Sequence, residues 1–311
     1  MFKYVIPLFL FGLFATISGC GGQEKVNFKE AQQFIAVDFN NEGTILAGIS
    51  KNGTIILWDS VKQAKLQSLE SKDRKASSLD FNKDGSLLAV GQDGGNVQIV
   101  SIPDGDEKQV IKSGTSIIKA IAFSPDGKSL AIASNKAIEI WSTTNFKKSF
   151  TLAKSAQMQE LIWTPDSKSI LSGGSDFDLH VYAIDGTYQS ILKGHTKAIS
   201  ALAVSKDGKK VASGDRSGKV RVWDWGGKNP SSKDFEGHLG GVDSLSFSPD
   251  ASILASAGRD DLVKTWNTSS LENLQTFKGH KNDVRGVVFA PDGQTIASAG
   301  LDGFVKIWEI K

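Results

Sequence analysis

Short apolar segments broken by turn residues run along nearly the whole chain. Val284–Phe289 is rich in β-forming residues and reads as a strand. Ala290-Pro291-Asp292-Gly293 follows as a turn, because Pro fixes φ and Gly accepts a positive one. Residues 294–299 give a second predicted strand. Leu301-Asp302-Gly303 supplies a tight Asp-Gly hairpin turn. Residues 304–310 give a third strand, which carries Trp308. A fourth lies between units, as at 273–277. The predicted unit is a four-stranded antiparallel sheet.

This unit recurs seven times. Its first strand ends at Phe39, Phe81, Phe123, Trp163, Val204, Phe247 and Phe289, at intervals of 42, 42, 40, 41, 43 and 42 residues. An acid follows each by three: Glu42, Asp84, Asp126, Asp166, Asp207, Asp250 and Asp292. A period of roughly 40–45 residues marks a repeat architecture in which each unit packs on its neighbours. The repeat therefore argues for one domain, where 311 residues alone would suggest two. The net charge of +2 and the interspersed acidic and basic residues give no clustered basic face, so no nucleic-acid partner is expected.

The units open with Gly194-His195, Gly237-His238 and Gly279-His280. They close with Trp58-Asp59, Trp223-Asp224 and the variants Trp141-Ser142, Trp266-Asn267 and Trp308-Glu309. In these motifs residues 25–311 resemble the WD40 family. The resemblance implies an all-β, seven-bladed β-propeller of four-stranded antiparallel blades around a central channel. The last unit ends without an outer strand. The segment Lys-Val-Asn-Phe-Lys at 25–29 resembles Leu-Gln-Thr-Phe-Lys at 274–278 and would complete it, removing an open sheet edge.

The resemblance also implies a hydrogen-bonded network of His, Ser, Asp and Trp within a blade. The matching sets are His280, Ser298, Asp302 and Trp308, then His238, Ser256, Asp260 and Trp266. The fifth unit keeps His195, Ser213 and Trp223, with Ser217 in place of the turn Asp. The fourth keeps Ser172 and Asp176, with Tyr182 for Trp and Lys154 for His. Among the first three, Trp58 and Trp141 remain and Val100 replaces the second unit's Trp.

A Ser/His/Asp set is also the composition of a hydrolase triad. Its recurrence at fixed blade positions, without a Gly-x-Ser-x-Gly turn, reads instead as buried polar groups satisfying one another. No enzyme activity is expected. The sequence has no Cys pair, no His-Glu-x-x-His and no phosphate-binding Gly loop, so neither metal nor cofactor is expected. His180 occupies a position filled elsewhere by Ile56, Gln98, Glu139, Arg221, Lys264 and Lys306, and reads as a tolerant site. Residues 225–233, rich in Gly, Pro and Ser, read as a surface loop.

Residues 1–19 read as an export signal: Lys3, then an apolar run shorter than a comfortable membrane span. Ile17-Ser18-Gly19-Cys20 resembles the bacterial lipoprotein cleavage box, which implies lipidation of Cys20, the only cysteine. An ordinary cleavable signal is the alternative. Residues 20–24 would form a short tether to a bacterial envelope membrane. Gly21 rather than Asp after the cysteine favours the outer membrane if the source is Gram-negative.

WD40 propellers often bind peptides or proteins on the face that bears the Gly-His loops. Candidate contacts there are Lys75, Lys119, Gln157, Arg216, Asp243, Arg259, Asp283 and Arg285, a set suited to a partly acidic partner. The expected function is a lipid-anchored protein-interaction scaffold. The alternative is a small-molecule binder or enzyme that uses the central channel.

Overall fold

The computed structural model describes residues 23–69, 75–113, 117–134, 136–154, 158–225 and 230–311. These form seven four-stranded antiparallel sheets. The first blade shows the unit: Phe34–Phe39, Ile45–Ser50, Ile55–Asp59 and Ala64–Leu69, in that order from inside to outside. The other inner strands are Ala76–Phe81, Ile118–Phe123, Met158–Trp163, Ile199–Val204, Val242–Phe247 and Val284–Phe289. Each inner strand packs on the next, and Phe34–Phe39 packs on Val284–Phe289, so the ring closes.

The second strands are almost wholly buried, as at Leu46, Leu88, Leu130, Ile170, Val211, Leu254 and Ile296. They lie between blades, and the core is a set of interblade clusters rather than one central mass. This burial is the main stabilising term, at roughly 25 cal/mol per Å² of apolar surface removed from water.

Closure follows the expected route. Glu24–Lys29 pairs antiparallel with Phe304–Glu309 as the outer strand of the seventh blade. Glu24, assigned from sequence to the tether, is the first residue of that strand. The largely buried Lys306 fixes it, with Nζ 2.8 Å from Glu24 Oε2 and 2.6 Å from Asn27 Oδ1. The seam also gains Phe28 stacked on Trp58 of the first blade at 5.1 Å. Residues 225–233 need a correction: 231–233 belong to the strand Ser231–Glu236, which pairs antiparallel with Lys219–Asp224. Among the described residues no helix is long and apolar enough to cross a membrane. Cys20 and the rest of the signal lie outside the described residues.

Candidate interaction surface at the channel mouth

Three blades hold the expected network. In the seventh, His280 Nε2 meets Ser298 Oγ at 2.8 Å, Nδ1 meets Asp302 at 3.0 Å, and Trp308 Nε1 donates to Ser298 Oγ at 2.8 Å. The sixth repeats this with His238, Ser256, Asp260 and Trp266 at 2.7–2.8 Å. The fifth joins His195 to Ser213 at 2.7 Å, and Trp223 to the same hydroxyl at 2.9 Å. Its carboxylate comes from Asp215, 2.8 Å from His195 Nδ1. Ser217 does not replace the acid; its hydroxyl donates to Asp215 at 2.5 Å.

Burial alone would push the Asp215 carboxyl up, but hydrogen bonds from His195 and Ser217 outweigh it and hold the group low. The same balance, with bonds from His238 and His280, holds Asp260 and Asp302 low. The polar side-chain atoms of these sets are hydrogen-bonded to one another, as buried polar groups require.

The fourth blade departs from the pattern. Ser172 Oγ is buried without a partner among the described residues. His180 Nε2 instead meets Asp176 at 2.7 Å, and its Nδ1 lies 3.2 Å from the Tyr188 hydroxyl. Ile56 fills the position of His180 with a buried apolar side chain in the first blade. Lys306, Lys264, Arg221, Glu139 and Gln98 each make a polar contact at the same place in their own blades.

The surface that converges on one point is the channel mouth. Every inner strand shifts register next to its second residue: Ile35, Ser77, Lys119, Gln159, Ser200, Asp243 and Arg285. A bulge re-aims its side chain away from the sheet. All seven line a single cavity of about 340 Å³, together with Lys51, Arg216, Arg259, Leu301 and Glu160. The loop after His238 borders it: Gly240 lies against Arg259, and Gly241 lies against Arg216 and Arg259. Gly241 has φ of +126° with Arg216 close by, a conformation and space that suit glycine. Leu239, on the same loop, is 81% exposed.

Of the sequence candidates, Lys119, Arg216, Asp243, Arg259 and Arg285 come together in this cavity. Asp243 is the hub, holding Arg259 Nε and Nη2 at 3.0 Å each and Arg285 Nη1 at 3.2 Å. Asp283 sits outside the lining and takes Arg285 Nη2 at 2.8 Å. Lys75 is exposed just before the second inner strand and does not line the cavity. Gln157 lies outside the described residues.

Sequence reasoning missed Glu160. The residue after each bulge is Ala36, Ser78, Ala120, Ala201, Ser244 or Gly286 in the other six blades. Glu160 is the one large side chain in this ring. Burial, then the charge on Asp243, raises its carboxyl to about 8, which favours its protonated form at pH 7. Two further acids, Asp38 and Asp80, accept backbone N–H bonds from the next inner strand, at Phe81 and Phe123. Burial raises Asp38 to about 7; burial and then the Asp38 charge raise Asp80 well above the carboxylate range. A second cavity of about 340 Å³ lies between the first and last blades, lined by turn residues such as Glu42, Gly43, Pro291 and Asp292 at the other end of the strands. It gathers no comparable set of charged groups. Among the described residues no cluster of three or more metal-ligating side chains occurs.

Seven bulged inner strands around one charged mouth define a β-propeller with a convergent surface at one end of its channel. The chain belongs to the WD40 family: the model described as "WD domain, G-beta repeat" matches residues 23–59, 105–142, 186–224, 229–267 and 271–309. The stretches closed by Val100 and Tyr182, which lack the Trp, are the two repeats it passes over. Among curated proteins, the chain is similar to a THO complex subunit 6 homolog of Danio rerio, 30% identical over 105 residues, covering 30% of this chain and 32% of that protein. It is also similar to a serine-threonine kinase receptor-associated protein of Dictyostelium discoideum, 38% identical over 60 residues, covering 19% and 20%. The matches thus span about a third or less of these relatives.

Proposed function

We propose that this chain is a protein-interaction scaffold that docks its partner at the channel mouth, and that it is exported and held at a bacterial envelope membrane by lipid on Cys20. The observation that carries the docking reading is the bulge in every blade, which turns seven side chains toward one cavity. WD40 propellers bind protein partners, and the relatives named as a complex subunit and a receptor-associated protein fit that use. The anchor rests on Ile17-Ser18-Gly19-Cys20 and the apolar run before it. A second reading, a small ligand in the channel, draws on the cavity volume of about 340 Å³, at the lower end of ligand-site sizes.

Cross-linking in the native envelope, followed by capture in mild detergent, tests the scaffold. A stoichiometric protein partner is expected, and it is lost when Lys119, Arg259 and Arg285 are all changed to Gln. Clean capture without a partner overturns the reading in favour of the ligand. The anchor is separate: Cys20→Ala protein should leave the membrane fraction, and continued fractionation with membrane rejects lipidation.

A further inference from the structure

The mouth carries more positive charge than the fold consumes. Lys51, Lys119, Arg216, Arg259 and Arg285 all line it. Asp243 engages Arg259 and Arg285, while Lys51, Lys119 and Arg216 form no ion pair among the described residues. Two donors of residues in the same lining are buried without a partner among the described residues: Ser77 Oγ and Arg285 Nε. The cavity thus presents unpaired cations to a single point.

We propose that the mouth receives an acidic side chain from a peptide segment of the partner protein, and that Asp243 stands in for that carboxylate in the free propeller. This rests on the docking face described above and adds the chemistry of what docks there. Arginine's planar fork suits carboxylates, and Arg259 already shows the geometry in its two 3.0 Å contacts to Asp243. Low-dielectric walls around a ring of like charge focus its field on the opening. Glu160, its carboxyl raised to about 8, adds little negative charge in the same lining. A basic segment would meet five cations and find Asp243 and Asp283 already held by arginines, an arrangement that repels it. Exposed Leu239 on the bordering loop offers an apolar residue of the segment a place beside the acid.

The test is a fluorescence-anisotropy titration of the full chain in detergent with a labelled hexaglutamate peptide, with hexalysine as its opposite. Hexaglutamate binding that weakens with salt is expected, and no hexalysine binding. Lys119→Gln with Arg216→Gln removes two unpaired cations and should weaken hexaglutamate about tenfold or more. Asp243→Asn should tighten it, because the internal competitor is gone; thermal melts check that each variant is folded. If Asp243→Asn does not fold, the Lys119/Arg216 pair decides alone.

Hexaglutamate binding unchanged by that pair, or weakened by Asp243→Asn in folded protein, overturns the proposal. So does preference for hexalysine, or equal competition by free glutarate or inorganic phosphate, which would mark a small-anion site. A partner captured in the envelope that docks at the mouth through an uncharged segment would leave the scaffold standing and sink only this inference.

Discussion

Blades five to seven and blades one to three fill the same place in the same sheet by opposite means. In the later blades a serine midway along the second strand (Ser213, Ser256 or Ser298) is gripped by a histidine and a tryptophan. In the first three that position is Gly48, Val90 or Ile132. Gly48 leaves room for the Trp58 ring: a Cβ there would lie 2.8 Å from it. Trp58 is then held by Phe28 and Phe34 rather than by a hydrogen bond through its indole. Ile132 and Val90 simply complete apolar clusters. The backbone unit therefore does not require the polar network. The network is one solution to a space that apolar packing also fills, and it differs in being directional and in burying titratable groups.

The sharpest contrast is at the end of the second strand, where the fifth blade has Asp215 and the second has Gln92. Asp215→Ala would leave the buried His195 Nδ1 without its partner, while the exposed Ser217 can turn to water. The expected cost is about 3 kcal/mol, since stranded buried polar groups lose their full desolvation. Gln92→Ala removes one bond, Nε2 to Gln98 Oε1 at 2.9 Å, and should cost about 1 kcal/mol. Urea melts of both variants check this, and equal losses would erase the distinction.

The two halves should also answer oppositely to pH. Asp215, Asp260 and Asp302 sit below the ordinary carboxylate range when folded. Their contribution is complete above the unfolded value of about 3.9 and is lost as pH falls through the folded values. Asp38 and Asp80 in the first two blades are raised, Asp38 to about 7. Between pH 4 and 7 the folded state holds protons there that the unfolded state has released, so stability falls as pH rises through that window. Asp80→Asn should therefore raise the melting temperature at pH 8 and change it little at pH 5. A uniform shift at both pH values would contradict the buried, proton-holding pair.

A closed hydrogen-bonded network also resists local opening. Amide exchange should be slower in the second and third strands of blades five to seven than in residues 30–150. Equal or greater protection in the early blades would show that apolar packing alone sets local stability in this ring.

The ring itself was legible because its strand end and turn are written seven times at one period, with the closing Trp in five of the seven units. The closing strand was legible too, because 25–29 carries the pattern of an outer strand. Asp215 was not. Its carboxylate leaves the chain two residues before the expected turn position, from a strand end where blades six and seven have Gly258 and Gly300 packed against their histidines. Glu160 was hidden for a different reason. Whether a residue faces the channel depends on the bulge before it, and a register shift leaves no mark in the alternation of apolar and polar residues. The mouth was half legible: Lys119, Arg216, Asp243, Arg259 and Arg285 line the cavity, while Lys75 and Asp283 stay outside the lining.

The smallest expected effect lies in the fourth blade, which stands between the two types. It keeps the serine of the later blades, Ser172, but Tyr182 replaces the Trp that would donate to it. Its His180 bonds to Asp176 and Tyr188 instead, away from that hydroxyl. Ser172 Oγ is thus desolvated without a partner, a state that costs free energy. Ser172→Ala should change stability by no more than about 0.5 kcal/mol, with a slight gain as favourable as a loss, because only an unsatisfied group is removed. Ser256→Ala, at the same place in the sixth blade, takes the acceptor from Trp266 and the partner from His238, and should cost about 2 kcal/mol. If Ser172→Ala proves as costly as Ser256→Ala, the fourth-blade hydroxyl is bonded after all, through a buried water, and the blade belongs with the later three.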